Sequence, residues 1–172
     1  GANAILGVSM AVCKAGSICS NKQFYEYIQK LSNSKKFSLP IPQMNVINSG
    51  KHVGVENDIQ EHMIMPVSFK SFKEALRAGV ETYHALKNIL KERYGAKAIL
   101  LGDEGGFAPP IENVEKRLEL LLRTIEEAGY NKKIKLALDC AASEFYDERS
   151  GKYKILNKKF SKEKLVDFYK DL

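Results

Sequence analysis

Short apolar runs alternate with long amphipathic segments over most of this chain, and that alternation limits the folds open to it. Residues 44–48 and 62–66 are brief apolar runs bounded by turn residues, as buried strands are. A third run, 134–138, alternates apolar with other residues and leads into Asp139. Strands and helices that alternate with short turns predict a layered α/β domain.

Two of the intervening segments predict helices that pack against these strands. Ser71 and Glu74 form a capping box for the first helix, and Gly95 ends it. The second helix runs from about residue 113 to residue 128 and stops at Gly129. We expect their inward faces to consist of Phe72, Leu76, Val80, Tyr83, Leu86 and Leu90 in the first helix, and Val114, Leu118, Leu121, Leu122 and Ile125 in the second.

A change of composition near residue 38 predicts a domain boundary. Residues 1–38 open with an apolar helix rich in small residues, and its apolar character nearly all round predicts burial between other elements. A polar, lysine-containing linker at 32–36 follows. We therefore expect 1–38 and 39–172 to belong to different domains. Lys14 ends the apolar run too soon for a bilayer-spanning helix, so we expect no membrane span.

Composition and charge exclude several classes of function. With 44% hydrophobic and 28% charged residues among 172, the chain has the composition of a soluble globular protein. Its net charge of +6 would indicate a nucleic-acid partner only if the basic residues clustered. Residues 131–172 hold eleven Lys or Arg against seven Asp or Glu, a mild excess that indicates solvated faces and no dedicated nucleic-acid site.

The cysteines indicate a reducing compartment. Cys13 and Cys19 lie six residues apart on a predicted helix, too far along its axis for a disulfide. The chain has no Cys-x-x-Cys metal pattern. Reduced thiols and a cytoplasmic location fit best, with an additional cell-surface or secreted pool left open.

Residues 102–109, Gly-Asp-Glu-Gly-Gly-Phe-Ala-Pro, form the segment that most strongly suggests chemistry. Two adjacent carboxylates, Asp103 and Glu104, sit in a glycine-bracketed loop directly after the apolar run 98–101. Glycine lets the backbone bend tightly and approach a ligand, and a carboxylate on such a loop suits proton transfer or cation binding. Taken alone, the motif fits a tight turn with solvated acids equally well.

Five ordered blocks of sequence resemble the enolase family, with matching spacing over essentially the whole chain. The blocks are Gly1–Ser9, Asn45–Asn48 with Gly50–His52, Gln60–Glu61, Gly102–Pro109, and Leu138–Asp139 followed by Ala142–Phe145. Residues 63–66 are closer to archaeal or bacterial enolases than to eukaryotic ones. The resemblance implies an α/β fold: part of an enolase-type (β/α) TIM barrel, preceded by the last helices of the enolase amino-terminal domain.

The resemblance also implies a reaction, the reversible dehydration of 2-phosphoglycerate to phosphoenolpyruvate in glycolysis and gluconeogenesis, with two Mg²⁺ ions. By the family pattern Glu104 is the general acid that helps the C3 hydroxyl leave, and Glu61 supports that step. Gln60 and His52 match substrate-contacting positions. Asp139 matches the first of three protein carboxylates on the tighter Mg²⁺, an ion that prefers hard oxygen ligands.

The chain departs from the family pattern at two positions and lacks other parts of it. Ser49 replaces a usual glycine, and His62 stands where phenylalanine is usual. The serine loop of the second metal site would lie before Gly1, and the lysine base and two metal carboxylates beyond Leu172. We therefore expect a fragment that does not catalyse the reaction alone and that is poorly soluble because apolar faces and a strand edge are uncovered.

Two other functions stay open at this point. One is another lyase or isomerase of the same superfamily, against which the Gly-Asp-Glu-Gly-Gly loop argues. The other is a noncatalytic module that binds RNA or a protein partner through basic surface residues. For the full-length protein, the resemblance suggests homo-oligomers, either dimers or octamers.

Overall fold

The computed structural model describes the backbone of residues 1–172 and every side chain except that of His52. The chain divides into two compact units, residues 1–40 and 41–172. This division lies close to the predicted boundary at residues 38 and 39. The assignment of the first unit to an enolase amino-terminal domain stays a prediction.

The first unit contains two helices, α1 (Ala2–Cys19) and α2 (Phe24–Ser32). The expected burial of α1 is wrong for this chain, since Ser17 is its one buried residue while Ile5 and Val8 are 73% and 65% exposed. The nine-residue α2 is too short to cover more than one stripe of α1. By length and composition α1 could cross a membrane, a test that core helices of soluble proteins also pass.

The second unit holds two small antiparallel sheets and three helices. The first sheet has the order β1-β2-β3. Its strands are β1 (Met44–Asn48), β2 (Glu61–Pro66) and β3 (Ile134–Asp139). The second sheet, which the sequence analysis did not predict, consists of β4 (Tyr146–Asp147), β5 (Lys152–Ile155) and β6 (Lys158–Phe160). The helices are α3 (Phe72–Tyr94), α4 (Val114–Glu127) and α5 (Lys162–Asp171). The predicted strands at β1 to β3 and the predicted helices at α3 and α4 are thus confirmed.

Strand direction determines which residues meet at each edge of the first sheet. β2 runs antiparallel to both neighbours, so β1 and β3 point the same way. Asn48, the last residue of β1, pairs with Glu61, the first residue of β2, and Glu61 pairs in turn with Asp139, the last residue of β3. We call this end of the sheet the Glu61 edge. The sheet is open, not closed into a barrel, within the described residues.

The two faces of this sheet differ in character. Ile47, His62 and Leu138 share the face that packs against the helices, because residues directly opposite each other on paired strands point the same way. The other face carries Asn48, Glu61 and Asp139. A β-bulge between Asn45 and Ile47 interrupts the alternation of β1, so that Asn45 also lies on that polar face, opposite Met63.

Helix α3 packs on the sheet through small residues, so its predicted inward face is partly wrong. Leu86 and Leu90 are buried as expected, and Tyr83 is half-buried. Three predicted core residues are instead exposed: Phe72, Leu76 and Val80. The buried stripe contains Ala75, Ala78, Gly79 and Thr82. A methyl group at Gly79 would overlap the Met44 sulfur, so close approach of helix and strand decides which stripe faces inward.

Helix α4 follows its predicted pattern with one exception. Asn113 caps it by accepting a hydrogen bond from the Lys116 N–H at 2.9 Å. The predicted core residues Val114, Leu118, Leu121 and Ile125 are buried, whereas Leu122 is 57% exposed. Leu120, Thr124 and Arg117 are buried in addition.

Candidate functional site

The Glu61 edge brings two predicted site residues side by side. Glu61 and Asp139 are directly opposite each other on β2 and β3, on the polar face of the sheet. The Cβ atoms of such a pair lie about 5 Å apart, and like charges so placed repel each other. A cation between or beside the two carboxylates would relieve that repulsion. The antiparallel direction of β2 is the reason that a residue at the start of a strand meets one at the end of another.

Glu104 reaches the same face of the sheet from the glycine-rich loop. The Asn45 side-chain amide donates hydrogen bonds to Glu104 Oε2 and to Asn48 Oδ1, each at 3.1 Å. Asn48 is the register partner of Glu61. Asn45 and Asn48 therefore connect the general-acid candidate to the strand edge that carries the other two acids. The structure thus brings Glu61, Glu104 and Asp139 to one face at one end of the sheet.

The loop docks on β1 by backbone hydrogen bonds. Phe107 N–H donates to Val46 O at 2.9 Å, and Asn48 N–H donates to Phe107 O at 2.8 Å. Within the loop, the Gly102 N–H donates to Gly106 O at 2.9 Å, which closes a tight turn around Asp103 and Glu104. The loop is therefore held beside β1 by an isolated parallel β-bridge between Ile47 and Phe107.

Glycine is required at the two ends of that turn. A Cβ atom at Gly102 or at Gly106 would overlap the Asn48 side chain, which packs between them. Tyr83 of α3 contacts the turn, where its hydroxyl donates a hydrogen bond to Gly105 O at 2.8 Å. Its ring stacks on Phe107 with centroids 4.4 Å apart. Burial raises the pKa of the Tyr83 hydroxyl above its ordinary value.

Asp139 is held by a local turn that leaves it able to bind a cation. Its Oδ1 accepts a hydrogen bond from the Ala141 N–H at 3.0 Å. Ala141 has a φ of +45°, a left-handed conformation that is unusual outside glycine and that often marks functional segments. A carboxylate has about four acceptor positions, so this bond occupies a small part of its capacity.

The donor set fits Mg²⁺ as a partial site. No group of three His, Cys, Asp or Glu side chains close enough to hold a metal occurs among the described residues. Mg²⁺ is ordinarily bound through one or two carboxylates, with waters and substrate oxygens completing its shell. Asp139, with Glu61 opposite it, supplies carboxylate oxygens of the kind that such a shell needs.

The remaining predicted site residues belong to the loop between β1 and β2. Gln60 lies at the base of that loop, where its carbonyl accepts a hydrogen bond from the Ser49 N–H at 2.8 Å. His52 belongs to the 3-10 helix Gly50–Val53, and its side chain lies outside the described part of the chain. The neighbouring Lys51 forms an ion pair with Glu144 at 2.9 Å, which connects the loop to the segment after β3.

Sequence reasoning missed the residues that hold the site together. Asn45 and Asn48 entered it as part of a family motif, without a physical role. A signal was present, since asparagine is depleted in strands and two of them in a five-residue apolar strand call for a specific partner. Asp58 and Arg117, which form a buried ion pair beneath the loop, were not singled out at all.

His62 is fully buried on the face of the sheet that packs against the helices. Burial and the nearby Arg117 charge lower its pKa from 6.5 to about 3. The folded protein therefore excludes a proton that the unfolded chain binds below pH 6.5.

We expect stability to fall as the pH drops from 6.5 toward 3 because of His62. The free energy of unfolding should decrease by about 2 kcal/mol between pH 7.5 and pH 5 from this group, since the unfolded state gains the proton. His62→Phe should flatten that slope, whereas His84→Phe, at an exposed position on α3, should leave it in place. Urea unfolding at the two pH values measures the effect, and an unchanged slope in His62→Phe would contradict it.

Comparison with known proteins identifies the family to which this arrangement belongs. Residues 36–172 match a family model described as the enolase C-terminal TIM barrel domain. The chain belongs to the enolase family. The mixed helix and sheet, open at its edges, is accordingly part of an enolase barrel, as the fold class predicted from the sequence requires.

Archaeal enolases are among the most similar relatives. The chain is 54% identical to the enolase of Methanopyrus kandleri, 49% to that of Thermococcus gammatolerans and 48% to that of Methanocaldococcus jannaschii. Each comparison covers 100% of this chain and 40% of the relative. The predicted likeness to archaeal or bacterial enolases is confirmed for archaeal ones. The chain thus spans about 40% of the length of the curated enolases that it matches.

Proposed function

We propose that this chain is the part of an enolase that supplies the general acid and one metal carboxylate for the reversible dehydration of 2-phosphoglycerate to phosphoenolpyruvate. The arrangement that carries the proposal is the pairing of Glu61 with Asp139 on the polar face of the sheet, together with the hydrogen bond that ties Glu104 to Asn45 of the same face. A lyase that removes water beside a carboxylate needs an acid for the leaving hydroxyl and positive charge for the substrate carboxylate.

Each residue then has one task. Glu104, in its protonated form, gives its proton to the C3 hydroxyl, which departs as water. Glu61 hydrogen-bonds that hydroxyl or the departing water. Gln60 and His52 contact the substrate from the loop between β1 and β2. The base that takes the C2 proton is not among the residues assigned here.

Asp139 would hold Mg²⁺ through its carboxylate. The bound ion supplies positive charge that offsets the negative charge developing on the substrate carboxylate as the C2 proton is removed. The pairing of Asp139 with Glu61 across two strands supports this assignment, because two opposed carboxylates favour a cation nearby. The Ala141 N–H orients the same carboxylate.

We further propose that turnover requires the rest of an enolase, since the chain covers 40% of the length of its relatives. The active form would be the segment joined to that remainder, either from its own gene or, as a hybrid, from the Methanopyrus kandleri enolase. We call this form the completed enzyme. Homo-oligomeric assembly and a cytoplasmic location stay predictions.

Absorbance of phosphoenolpyruvate formed from 2-phosphoglycerate tests the proposal. The completed enzyme should form the product only when Mg²⁺ is present, and the 172-residue chain alone should form none. A completed enzyme that folds, binds Mg²⁺ and yet leaves 2-phosphoglycerate unchanged would refute the assigned reaction.

A further inference from the structure

A buried ion pair lies directly beneath the loop that carries His52 and Gln60. Arg117 of α4 and Asp58 of the loop each have side chains that are 1% exposed. The Arg117 Nη2 group donates to both oxygens of Asp58 at 2.7 Å. Nothing in the reaction proposed above uses either residue, so the pair needs another explanation.

The pair is poorly arranged for stability. Two further guanidinium nitrogens of Arg117, Nε and Nη1, are buried without a hydrogen-bond partner among the described residues. Burial of two ions costs free energy that a single pair recovers only with complete hydrogen bonding, and apolar replacements are often neutral or stabilising. A role in fixing the position of a segment explains such a pair better than a role in stabilising the fold.

Asp58 accepts hydrogen bonds from both ends of the loop, Ser49 at its start and Ile59 near its end. Its Oδ2 accepts a hydrogen bond from the Ser49 hydroxyl at 2.5 Å, and its Oδ1 accepts one from the Ile59 N–H at 2.8 Å. The backbone closes the same base, because the Ser49 N–H donates to the Gln60 carbonyl at 2.8 Å. The loop therefore leaves β1 and enters β2 at a point fixed by one carboxylate.

Arg117 connects Asp58 to helix α4. The same Nη2 group also donates to the Glu112 carbonyl at 3.4 Å, just ahead of α4. The loop base is thus fixed relative to α4, and Gln60 and Glu61 follow it directly into β2. Ser49 and His62, the two residues that depart from the family pattern, both interact with this pair. The Ser49 hydroxyl donates to Asp58, and the Arg117 charge helps to lower the pKa of His62.

We propose that Asp58 and Arg117 are positioning residues for substrate binding. The pair fixes the position, relative to α4, of the loop that carries His52 and Gln60. This inference rests on the proposed function, because its readout is the binding of 2-phosphoglycerate. It assigns no chemical step to either residue. The pair acts on the substrate only through the loop backbone.

The double variant Asp58→Asn/Arg117→Met separates positioning from stability. The introduced asparagine keeps the side-chain shape: its oxygen can accept the Ile59 N–H bond and its amide N–H can donate to the Ser49 hydroxyl. The introduced methionine removes the tether and its buried charge. Each single variant leaves one buried partner uncompensated and should lower the Tm. The double variant should recover most of that Tm, yet the KM for 2-phosphoglycerate should stay raised about tenfold with kcat within about twofold, because ground-state and transition-state binding are lost together.

Arg123→Met provides the matched control. Arg123 lies on the same helix and pairs with Glu127 at 2.7 Å, with both side chains largely exposed. Its KM should equal that of the parent. If the double variant is folded and its KM also equals that of the parent, the positioning role is wrong.

Two safeguards keep the outcomes distinct. If the double variant does not fold, Ser49→Ala removes only the hydrogen bond from the Ser49 hydroxyl to Asp58 and should still raise KM about threefold. An unchanged KM in that variant would overturn the inference. If the unsubstituted completed enzyme has no turnover, the proposed function fails instead. If the parent turns over 2-phosphoglycerate and the folded double variant has the same KM, the positioning role is wrong and the proposed function is still supported.

Discussion

Glu104→Gln in the completed enzyme should reduce turnover of 2-phosphoglycerate by about 10²-fold to 10⁴-fold, while Mg²⁺ binding stays close to that of the parent. The amide keeps the shape of the side chain and can still accept the hydrogen bond from Asn45. It has no proton to give to the leaving hydroxyl, and positioned proton transfer contributes about that much rate. Steady-state formation of phosphoenolpyruvate and calorimetric titration with Mg²⁺ measure the two quantities.

Asp103→Asn is the matched control, since it makes the same change from carboxyl to amide at the adjacent position of the same turn. That variant should keep most of its turnover. Retained turnover in Glu104→Gln would take the acid role away from Glu104. If the chain were instead an RNA-binding module, salt-dependent RNA binding would be found, and it would survive Glu104→Gln.

Asp139→Asn should weaken Mg²⁺ binding at least about tenfold, a change of about 1.4 kcal/mol. The amide oxygen can still accept the Ala141 N–H bond, so the turn persists while the negative charge at the metal is lost. The concentration of Mg²⁺ that gives half-maximal turnover should rise accordingly.

Asp147→Asn is the corresponding control for the metal site. Asp147 also occupies a turn, where it accepts hydrogen bonds from the Arg149 N–H and the Ser150 hydroxyl. The Ser150 hydroxyl and the backbone N–H groups lower the pKa of Asp147, which belongs to the second sheet and not to the Glu61 edge. Its Mg²⁺ requirement should match that of the parent. Equal effects of the two substitutions would show that charge in general, not the site, controls the response.

The elements of this fold were predictable because their signals are local. Ser71 and Glu74 cap α3 as the sequence indicates, with the Glu74 N–H donating to the Ser71 hydroxyl at 3.2 Å. Apolar runs bounded by turn residues indicated β1 to β3. Which stripe of α3 faces inward was not predictable, because hydrophobicity favours Leu76 and Val80 while packing selects Gly79.

In the second sheet, the sequence contains a signal for strand β5 but none for the turn that follows it. Tyr153 and Ile155 alternate with lysines at 152 and 154, which is a period-two pattern typical of a strand. The turn that follows contains Leu156 at a φ of +50°, a conformation that leucine gives no reason to expect. Tertiary contact fixes it, since the Leu156 N–H donates to Asn57 O at 2.6 Å.

The family pattern named candidate site residues, whose roles stay predictions, but it did not indicate their geometry. The family pattern pointed to Glu61, Glu104 and Asp139, and nothing in their spacing showed that they meet. Their position on one face of the sheet depends on the antiparallel direction of β2 and on the bulge in β1 that turns Asn45 toward Glu104. Both features are long-range consequences of strand pairing.

A crystal structure of the completed enzyme with Mn²⁺ in place of Mg²⁺ tests the central claim most directly. Anomalous scattering would locate the ion, and we expect it about 2.1 Å from an Asp139 oxygen, on the polar face that also carries Glu61 and Glu104. An ion bound elsewhere, with Glu104 and Asp139 pointing to opposite faces of the sheet, would contradict the account.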